Sequence, residues 1–289
     1  MKKNLFLGLV ILISINVVPH VYVWKNGELS SIKPDSITFR NPVVPTEIAL
    51  SVWENGVASD LEVDSIVLID PYKSTATVDG HAYVDLGLSS RTLWATCNVG
   101  ADSPEDFGNY YSWAETDLEE NNGHCMAHYK YLLAQEGVWI WKKYNLNLDE
   151  SDPFRDGKTE LDSEDDAATV NWGAKWKTPT AEQLQELINE ANPQIATLNG
   201  VKGYRFVGPN GNSIFLPAAG YFFDANGYST MVGQRGFYWS RNLSIDSYEH
   251  VQCLFFLNED GFGQIKMRKT SDEGMLRYYG RSIRPVYVP

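Results

Sequence analysis

The sequence predicts an α+β protein in which a small all-β repeat module precedes a larger domain. The first observation is that VWKNGELSSIKPDSITF at 23–39 recurs 29 positions later as VWENGVASDLEVDSIVL, with eight of seventeen residues identical. The second is that one strongly patterned helix, at 178–193, is followed almost entirely by strand-like segments. Because strands and helices form separate blocks instead of alternating, a parallel βαβ sheet is not expected.

The composition is that of a folded acidic protein. The chain has 289 residues, of which 43% are hydrophobic and 21% charged, and this length suits one or two domains. The formal net charge of −13, without a basic stripe, disfavours nucleic acid and anionic lipid as partners. The 9 Trp, 16 Tyr and 12 Phe residues indicate either a β-rich core or a surface that binds sugars or proteins through flat rings.

The N-terminal residues have the pattern of a secretory signal. Lys2 and Lys3 precede an apolar run from Leu5 to Val18, which is too short to span a membrane comfortably. We therefore expect residues 1–19 to be a signal peptide, with no other membrane span, in a protein exported to the cell surface or the extracellular space. A periplasmic location and retention of the segment as an uncleaved anchor are the alternatives.

The repeats predict a compact β module at residues 20–70, followed by a polar linker at 71–80. Each repeat contains an Asn-Gly dipeptide, at 26–27 and at 55–56, and Asn-Gly is a strong hairpin signal. A single hairpin is marginally stable in water. Two copies can share a core, so we expect the repeats to pair with each other.

The clearest helix prediction is TPTAEQLQELINEANP at 178–193. Thr180 is a good N-cap, and Gln183 completes a capping box three residues later. The apolar residues that follow recur at helical spacing. By contrast, residues 117–160 follow no regular pattern and are predicted to be an irregular insert.

Six collinear segments of the sequence form a recognisable set. They are YVDLGLSSRTLWATCNVGA (83–101), EDFGNYYSWAET (105–116), EDDAATVNWGAKWKTPTAEQLQEL (164–187), GPNGNSIFLPAAGY (208–221), GFYWS (236–240) and GRSIRPV (280–286). Together they resemble the Fibrobacter succinogenes major paralogous domain, a family abundant in exported proteins of Bacteroidota and related bacteria. The resemblance implies a C-type lectin-like fold for residues 81–289, a compact α+β domain with long loops on one side. The family's function is poorly defined, so the resemblance implies a fold more than an activity.

The aromatic loops of this domain are the expected ligand-binding surface. Residues 220–242 mix rings with amides and charges, which suits a glycan or a protein ligand such as a surface or host protein. For FYWS at 237–240 a buried core strand is the competing interpretation. The candidate ligand-binding residues are Tyr221, Phe223, Asp224, Asn226, Tyr228, Arg235, Tyr238, Trp239 and Asn242.

The densest carboxylate cluster is a candidate calcium site, because calcium prefers several oxygen ligands from one loop. Its residues are Asp162, Glu164, Asp165 and Asp166. The competing interpretation is that acidic side chains in a first helical turn favour the helix dipole. A histidine pair in HCMAH at 124–128 has zinc-ligand spacing but no evident third ligand, so a solvent-facing insert competes with a metal site there. No other cofactor is expected.

These features predict an exported, surface-displayed binding module without catalytic activity. The sequence has no G-x-S-x-G motif and no phosphate-binding glycine loop. A structural role in a cell-surface assembly is the second hypothesis. The third is an enzyme like the formylglycine-generating oxidases of the same fold superfamily, which need a cysteine pair. Cys97 and Cys253 lie in predicted strands, where buried, inert thiols are common.

Overall fold

Two compact units make up the chain. The computed structural model describes residues 76–118, 124–223, 229–247, 249–259, 262–269 and 275–287, and the backbone of seven short strands between residues 12 and 67. The first unit is Met1–Pro71 with Ala196–Gly200, and the second is Tyr72–Ile195 with Val201–Pro289. In the described part of the chain, no helix has both the length and the apolar character needed to cross a membrane.

Seven short strands of the first unit pair antiparallel with one another. They are β1 (Leu12–Ile13), β2 (Val21–Lys25), β3 (Glu28–Ile32), β4 (Ser36–Arg40), β5 (Ile48–Glu54), β6 (Val57–Val63) and β7 (Ser65–Val67). In the first repeat β2 pairs with β3, with Lys25 opposite Glu28. In the second repeat β5 pairs with β6, with Glu54 opposite Val57. These pairings confirm the hairpins predicted from the Asn-Gly dipeptides.

The two repeats exchange their closing strands. The second repeat's β7 pairs with the first repeat's β2, so that Ser65 lies opposite Trp24. The first repeat's β4 pairs with the second repeat's β5, so that Ser36 lies opposite Trp53. Ser65 lies 29 positions after Ser36, and Trp53 lies 29 positions after Trp24. The two pairings are therefore equivalent under the repeat. Each repeat thus adds a strand to the hairpin of the other repeat. A single hairpin, which is marginally stable in water, would lack this third strand.

The strands after residue 75 are more numerous than the helices. They are β8 (Ala76–Val78), β9 (His81–Asp85), β10 (Leu93–Ala95), β11 (Leu132–Gln135), β12 (Val138–Trp141), β13 (Trp176–Lys177), β14 (Asn192–Leu198), β15 (Val201–Val207), β16 (Ser213–Pro217), β17 (Tyr221–Phe222), β18 (Ser229–Thr230), β19 (Arg235–Leu243), β20 (Val251–Glu259), β21 (Phe262–Arg268) and β22 (Val286–Tyr287). The helices described are α1 (Ala167–Trp172) and α2 (Ala181–Glu190), with 3₁₀ turns at Met126–His128 and Ser163–Asp165.

The second unit is therefore α+β and rich in antiparallel sheet, as predicted. One five-stranded sheet has the order β13, β22, β10, β9, β8, so the C-terminal strand lies inside it. A separate meander joins β19, β20 and β21. The core between these elements is aromatic: Trp94, Trp113, Trp176 and Trp239 are all less than 2% exposed.

Helix α2 begins as its sequence predicts. The Thr180 hydroxyl accepts a hydrogen bond from the Gln183 amide at 3.1 Å, and the Thr180 amide donates to the Gln183 side-chain oxygen at 2.8 Å. This reciprocal pair confirms the capping box and satisfies amides that the first helical turn leaves unpaired. Leu184 and Leu187 are buried, so the helix packs its apolar face on the core.

Residues 124–160 are more regular than their sequence indicates. Strands β11 and β12 form a hairpin, and Tyr129, Trp141 and Tyr144 are buried. The Tyr129 hydroxyl donates to the Trp113 carbonyl at 2.6 Å. The expectation of an irregular insert is therefore wrong for residues 126–141, where individual aromatic anchors, not a periodic apolar pattern, attach the chain to the core. It holds for residues 142–159, which form no helix or strand.

A buried arginine connects the C-terminal segment to two other parts of the second unit. Arg284 is 0% exposed. Its guanidinium donates to the Asn98 side-chain oxygen at 2.9 Å, to the carbonyls of Ala95 and Thr96 at 3.2 and 2.6 Å, and to the Phe215 carbonyl at 2.9 Å. The donors of one side chain thus hold the end of β10, the loop after it and β16.

Replacing Arg284 should destabilise the second unit strongly. We expect Arg284→Met to lower the free energy of unfolding by about 3 kcal/mol or more, because it removes the hydrogen bonds that the buried guanidinium donates to four oxygens. Urea denaturation followed by tryptophan fluorescence measures the loss. Arg155→Met is the matched control, since Arg155 is exposed. Equal effects of the two substitutions would contradict the role assigned to Arg284.

Candidate ligand-binding face and acidic cluster

Three neighbouring rings form what we call the aromatic face: Tyr221, Phe223 and Tyr279. Their centroids are 5.8 Å apart for Tyr221–Phe223, 5.8 Å for Tyr221–Tyr279 and 6.1 Å for Phe223–Tyr279. Phe223 is 40% exposed, and the two tyrosines are half-buried. The face therefore presents a compact apolar surface whose two phenol groups can also form hydrogen bonds.

Backbone pairing brings the two segments of the aromatic face together. The Phe222 amide donates to the Gly280 carbonyl at 2.8 Å, and the Gly280 amide donates back to the Phe222 carbonyl at 3.0 Å. The neighbours of these residues in sequence are the three rings of the face. A side chain at position 280 would meet the ring of His124, since a Cβ there lies 2.5 Å from its Cδ2. Glycine is thus required where the segments approach.

A buried cation lies beneath the aromatic face. The guanidinium carbon of Arg281 is 5.5 Å from the Tyr221 centroid, 4.4 Å from Phe237 and 4.5 Å from Trp239. Burial lowers the pKa of Arg281 to about 10, so the group is still protonated at neutral pH. Within the described residues its Nε and one Nη atom have no hydrogen-bond partner. The faces of the three rings stabilise its positive charge instead. The contact with the guanidinium in turn holds the Tyr221 ring in a defined orientation.

The structure divides the predicted ligand-binding residues between surface and core. Tyr221 and Phe223 lie on the aromatic face, and Arg235 is half-buried at the first residue of β19. Tyr238 and Trp239 are 0% exposed, so the competing interpretation of FYWS as a core strand is correct in this structure. Three of the predicted residues, Asp224, Asn226 and Tyr228, lie outside the described residues.

Asn242 has a structural role. Its side-chain oxygen accepts a hydrogen bond from the Ala181 amide at 2.8 Å, which adds a cap to the first turn of α2. Tyr279, by contrast, belongs to the aromatic face although sequence reasoning passed over it. The Tyr-Tyr dipeptide at 278–279 was the available signal, but its position beside Phe223 depends on the pairing of Phe222 with Gly280.

The acidic cluster surrounds a lysine ammonium group. Lys143 Nζ lies 2.7 Å from Asp162, 3.2 Å from Glu164 and 2.6 Å from Asp165. Among the described residues, these three carboxylates form the one group of three or more potential metal ligands within 4.8 Å of one another. The ammonium group occupies the position between the carboxylates that a calcium ion would need. The geometry is that of an ion-pair network.

Asp165 is the buried centre of this network. Its side chain is 1% exposed and accepts hydrogen bonds from Tyr131 at 2.5 Å, Lys143 at 2.6 Å, Tyr144 at 2.8 Å and Lys130 at 3.1 Å. Burial acts to raise the pKa of Asp165, but the hydrogen bonds from Lys143 and the two phenols outweigh it and hold the pKa below its usual value. The carboxylate is therefore ionised and paired at neutral pH.

Asp166 does not join the acidic cluster. Its carboxylate accepts hydrogen bonds from the Ala168 amide at 3.0 Å and from the Thr178 hydroxyl at 2.7 Å. The first of these bonds caps helix α1, so the helix-terminal interpretation of the acidic stretch holds for this residue.

The histidines and thiols of the second unit have structural surroundings. His124 Nδ1 lies 2.8 Å from the Ser112 hydroxyl, and burial lowers the pKa of His124 to about 4. Cys125 Sγ lies 3.5 Å from His128 Nδ1. Cys97 and Cys253 are both free thiols. Burial raises the pKa of Cys97, which disfavours the reactive thiolate.

Comparison with known proteins finds no matching family model, no similar curated protein and no similar solved structure. The geometry of the described residues therefore carries the functional argument.

Calcium should not stabilise the protein as long as Lys143 is present. We expect the melting temperature to be the same in calcium chloride and in EDTA, because the Lys143 ammonium group occupies the position between the carboxylates. Lys143→Gln should lower the melting temperature and make it rise on addition of calcium, since the position between the three carboxylates is then open to the ion. Asp162 keeps its pair with Lys158 and Asp165 keeps its pair with Lys130, so only part of the positive charge is lost. Stabilisation of the unmodified protein by calcium would show that the ion displaces Lys143.

The Asp165 network should make stability depend on pH in the acid range. A depressed carboxyl pKa adds stability that is present above the unfolded-state value of about 4 and is lost as the pH falls through the folded-state value. We expect the free energy of unfolding, from urea titrations between pH 7 and pH 3, to fall less steeply in Asp165→Asn. Glu164→Gln is the control, because the Glu164 side chain is 77% exposed. A similar flattening in both variants would contradict this assignment.

Proposed function

We propose that the protein is an exported, surface-displayed binding module without catalytic activity, and that the aromatic face holds a glycan. The second unit would be a C-type lectin-like domain of the Fibrobacter succinogenes major paralogous type, consistent with its sheet-rich α+β architecture. The observation that carries the proposal is the triangle formed by Tyr221, Phe223 and Tyr279, in which an exposed phenylalanine adjoins two half-buried phenols.

The size of the aromatic face favours a glycan over a protein. Stable protein interfaces bury about 800 Å² on each partner, whereas three rings with centroids 5.8 to 6.1 Å apart cover an area close to that of one or two sugar rings. The apolar face of a sugar ring can stack on Phe223, and its hydroxyl groups can hydrogen-bond with the phenols.

One ring of the face, Tyr221, is also held in place before any ligand arrives. Tyr221 packs edge-on against Phe237 at 5.1 Å and lies over the Arg281 guanidinium. A side chain that is already ordered loses little conformational entropy on binding, and this favours affinity. The alternative of an oxidase that needs a cysteine pair is disfavoured by Cys253, which is 0% exposed, and by Cys97, whose raised pKa disfavours nucleophilic attack.

A glycan array with the full exported chain tests the proposal. We expect Phe223→Ala to weaken glycan binding by about tenfold or more, because it removes the exposed ring of the face. Tyr279→Phe should have a smaller effect, since it removes only a hydroxyl group. Ile245→Ala is the matched control, because Ile245 is 78% exposed and is not part of the face.

The same array, repeated with a chelator, separates the outcomes. Binding that is lost in Phe223→Ala but unchanged by the chelator would support the aromatic face. Binding that needs calcium would assign recognition to a metal site and contradict the proposal. No binding on a broad array would favour a protein ligand or a structural role in a surface assembly.

A further inference from the structure

A pocket of about 390 Å³ lies in the second unit, and none of the residues that line it belongs to the aromatic face. Its lining comes from β13 and the segment before it, the first turn of α2, β19 and β22. The charged residues of the lining are Lys175, Lys177 and Arg241, and all three are cationic. Such a concentration of positive charge stands out in a chain with a net charge of −13.

The three cations differ in how far neighbouring carboxylates neutralise them. Lys175 Nζ lies 3.3 Å from Asp79, in an ion pair whose side chains are 59% and 40% exposed. Arg241 Nε lies 2.7 Å from Glu160. Lys177 is exposed and, within the described residues, forms no ion pair. Three positive and two negative groups leave a net charge of +1 at the pocket.

Neighbouring groups hold the Arg241 side chain, whereas Lys177 has no ion-pair partner in the part of the chain that the structure describes. One Nη atom of Arg241 donates to the Leu161 carbonyl at 3.2 Å, and the arginine side chain is only 12% exposed. A held guanidinium and an unpaired ammonium group that line the same pocket suit a planar carboxylate, which can accept charge-assisted hydrogen bonds from both.

The remaining lining offers neutral donors and an apolar wall. The Thr180 oxygen already accepts the Gln183 amide proton, so its own hydroxyl proton remains to be donated. Tyr287 contributes a half-buried phenol, and its ring packs 6.3 Å from Trp176. Such a combination of hydroxyl donors with a ring suits a polyhydroxylated ligand.

We propose that this pocket binds a small monoanionic sugar, with a carboxylate held between Lys177 and Arg241 and a hydroxylated ring against Tyr287. The net charge of +1 matches one carboxylate better than a phosphate dianion. The volume is large enough for a monosaccharide. This site does not depend on the aromatic face, because the two share no residue.

Isothermal titration calorimetry with the full exported chain tests the proposal. The probes are glucuronate, glucose and glucose 6-phosphate, which have the same ring size and carry one negative charge, none and about two. We expect saturable binding of glucuronate, no detectable binding of glucose, weaker binding of glucose 6-phosphate, and a loss of affinity as salt is raised. Equal binding of glucose and glucuronate, or tighter binding of glucose 6-phosphate, would overturn the assignment to a carboxylate.

Two variants connect the binding to the pocket. Lys177→Gln should weaken glucuronate binding by about tenfold, since it removes the unpaired cation. Lys202→Gln is the matched control, because it removes the same charge from an exposed site elsewhere. Glucuronate binding that persists in Phe223→Ala would separate this site from the aromatic face. No saturable binding of glucuronate, or equal effects of the two lysine substitutions, would overturn the proposal.

Discussion

The burial of Arg284 is the constraint on which the arrangement of the second unit depends. A guanidinium group has five donors and cannot give up its proton in a protein, so it must find oxygens when it is removed from water. Arg284 finds them on Asn98 and on three carbonyls from β10, the following loop and β16. The C-terminal segment is thereby held in the middle of the unit.

Both candidate sites follow from that placement. The Pro285 carbonyl accepts a hydrogen bond from the Ala95 amide at 2.9 Å, and β22 then lies between β10 and β13. In this position Tyr287 lines the pocket of about 390 Å³. Upstream, Arg281 exchanges two backbone hydrogen bonds with Tyr111, each 3.0 Å long. These bonds position Tyr279 for the aromatic face. The segment 279–287 therefore contributes to both the aromatic face and the pocket, because Arg284 holds it in place.

The charged groups of the core are stabilised in two different ways. The arginines near the C-terminus use carbonyl oxygens and rings: Arg284 binds carbonyls, Arg281 lies among three ring faces, and Arg277 stacks 3.4 Å from the Trp141 centroid. The buried carboxylate of Asp165 instead pairs with lysines and phenols. The high content of aromatic residues thus serves the burial of charge as well as the packing of the core.

The sequence by itself determined the features that depend on neighbours along the chain. The capping box of Thr180 and Gln183 and the hairpins of the two repeats are local signals, because the hydrogen bonds that define them join nearby residues. The sheet-rich α+β class follows from the order in which strand-like and helix-like segments succeed one another along the chain. The tertiary structure decided which side chains come together at the candidate sites. Asp165 and Asp166 are adjacent and chemically alike, yet only distant Lys143 makes one of them part of an ion-pair network. Contacts between residues so far apart depend on packing, which a local pattern does not encode.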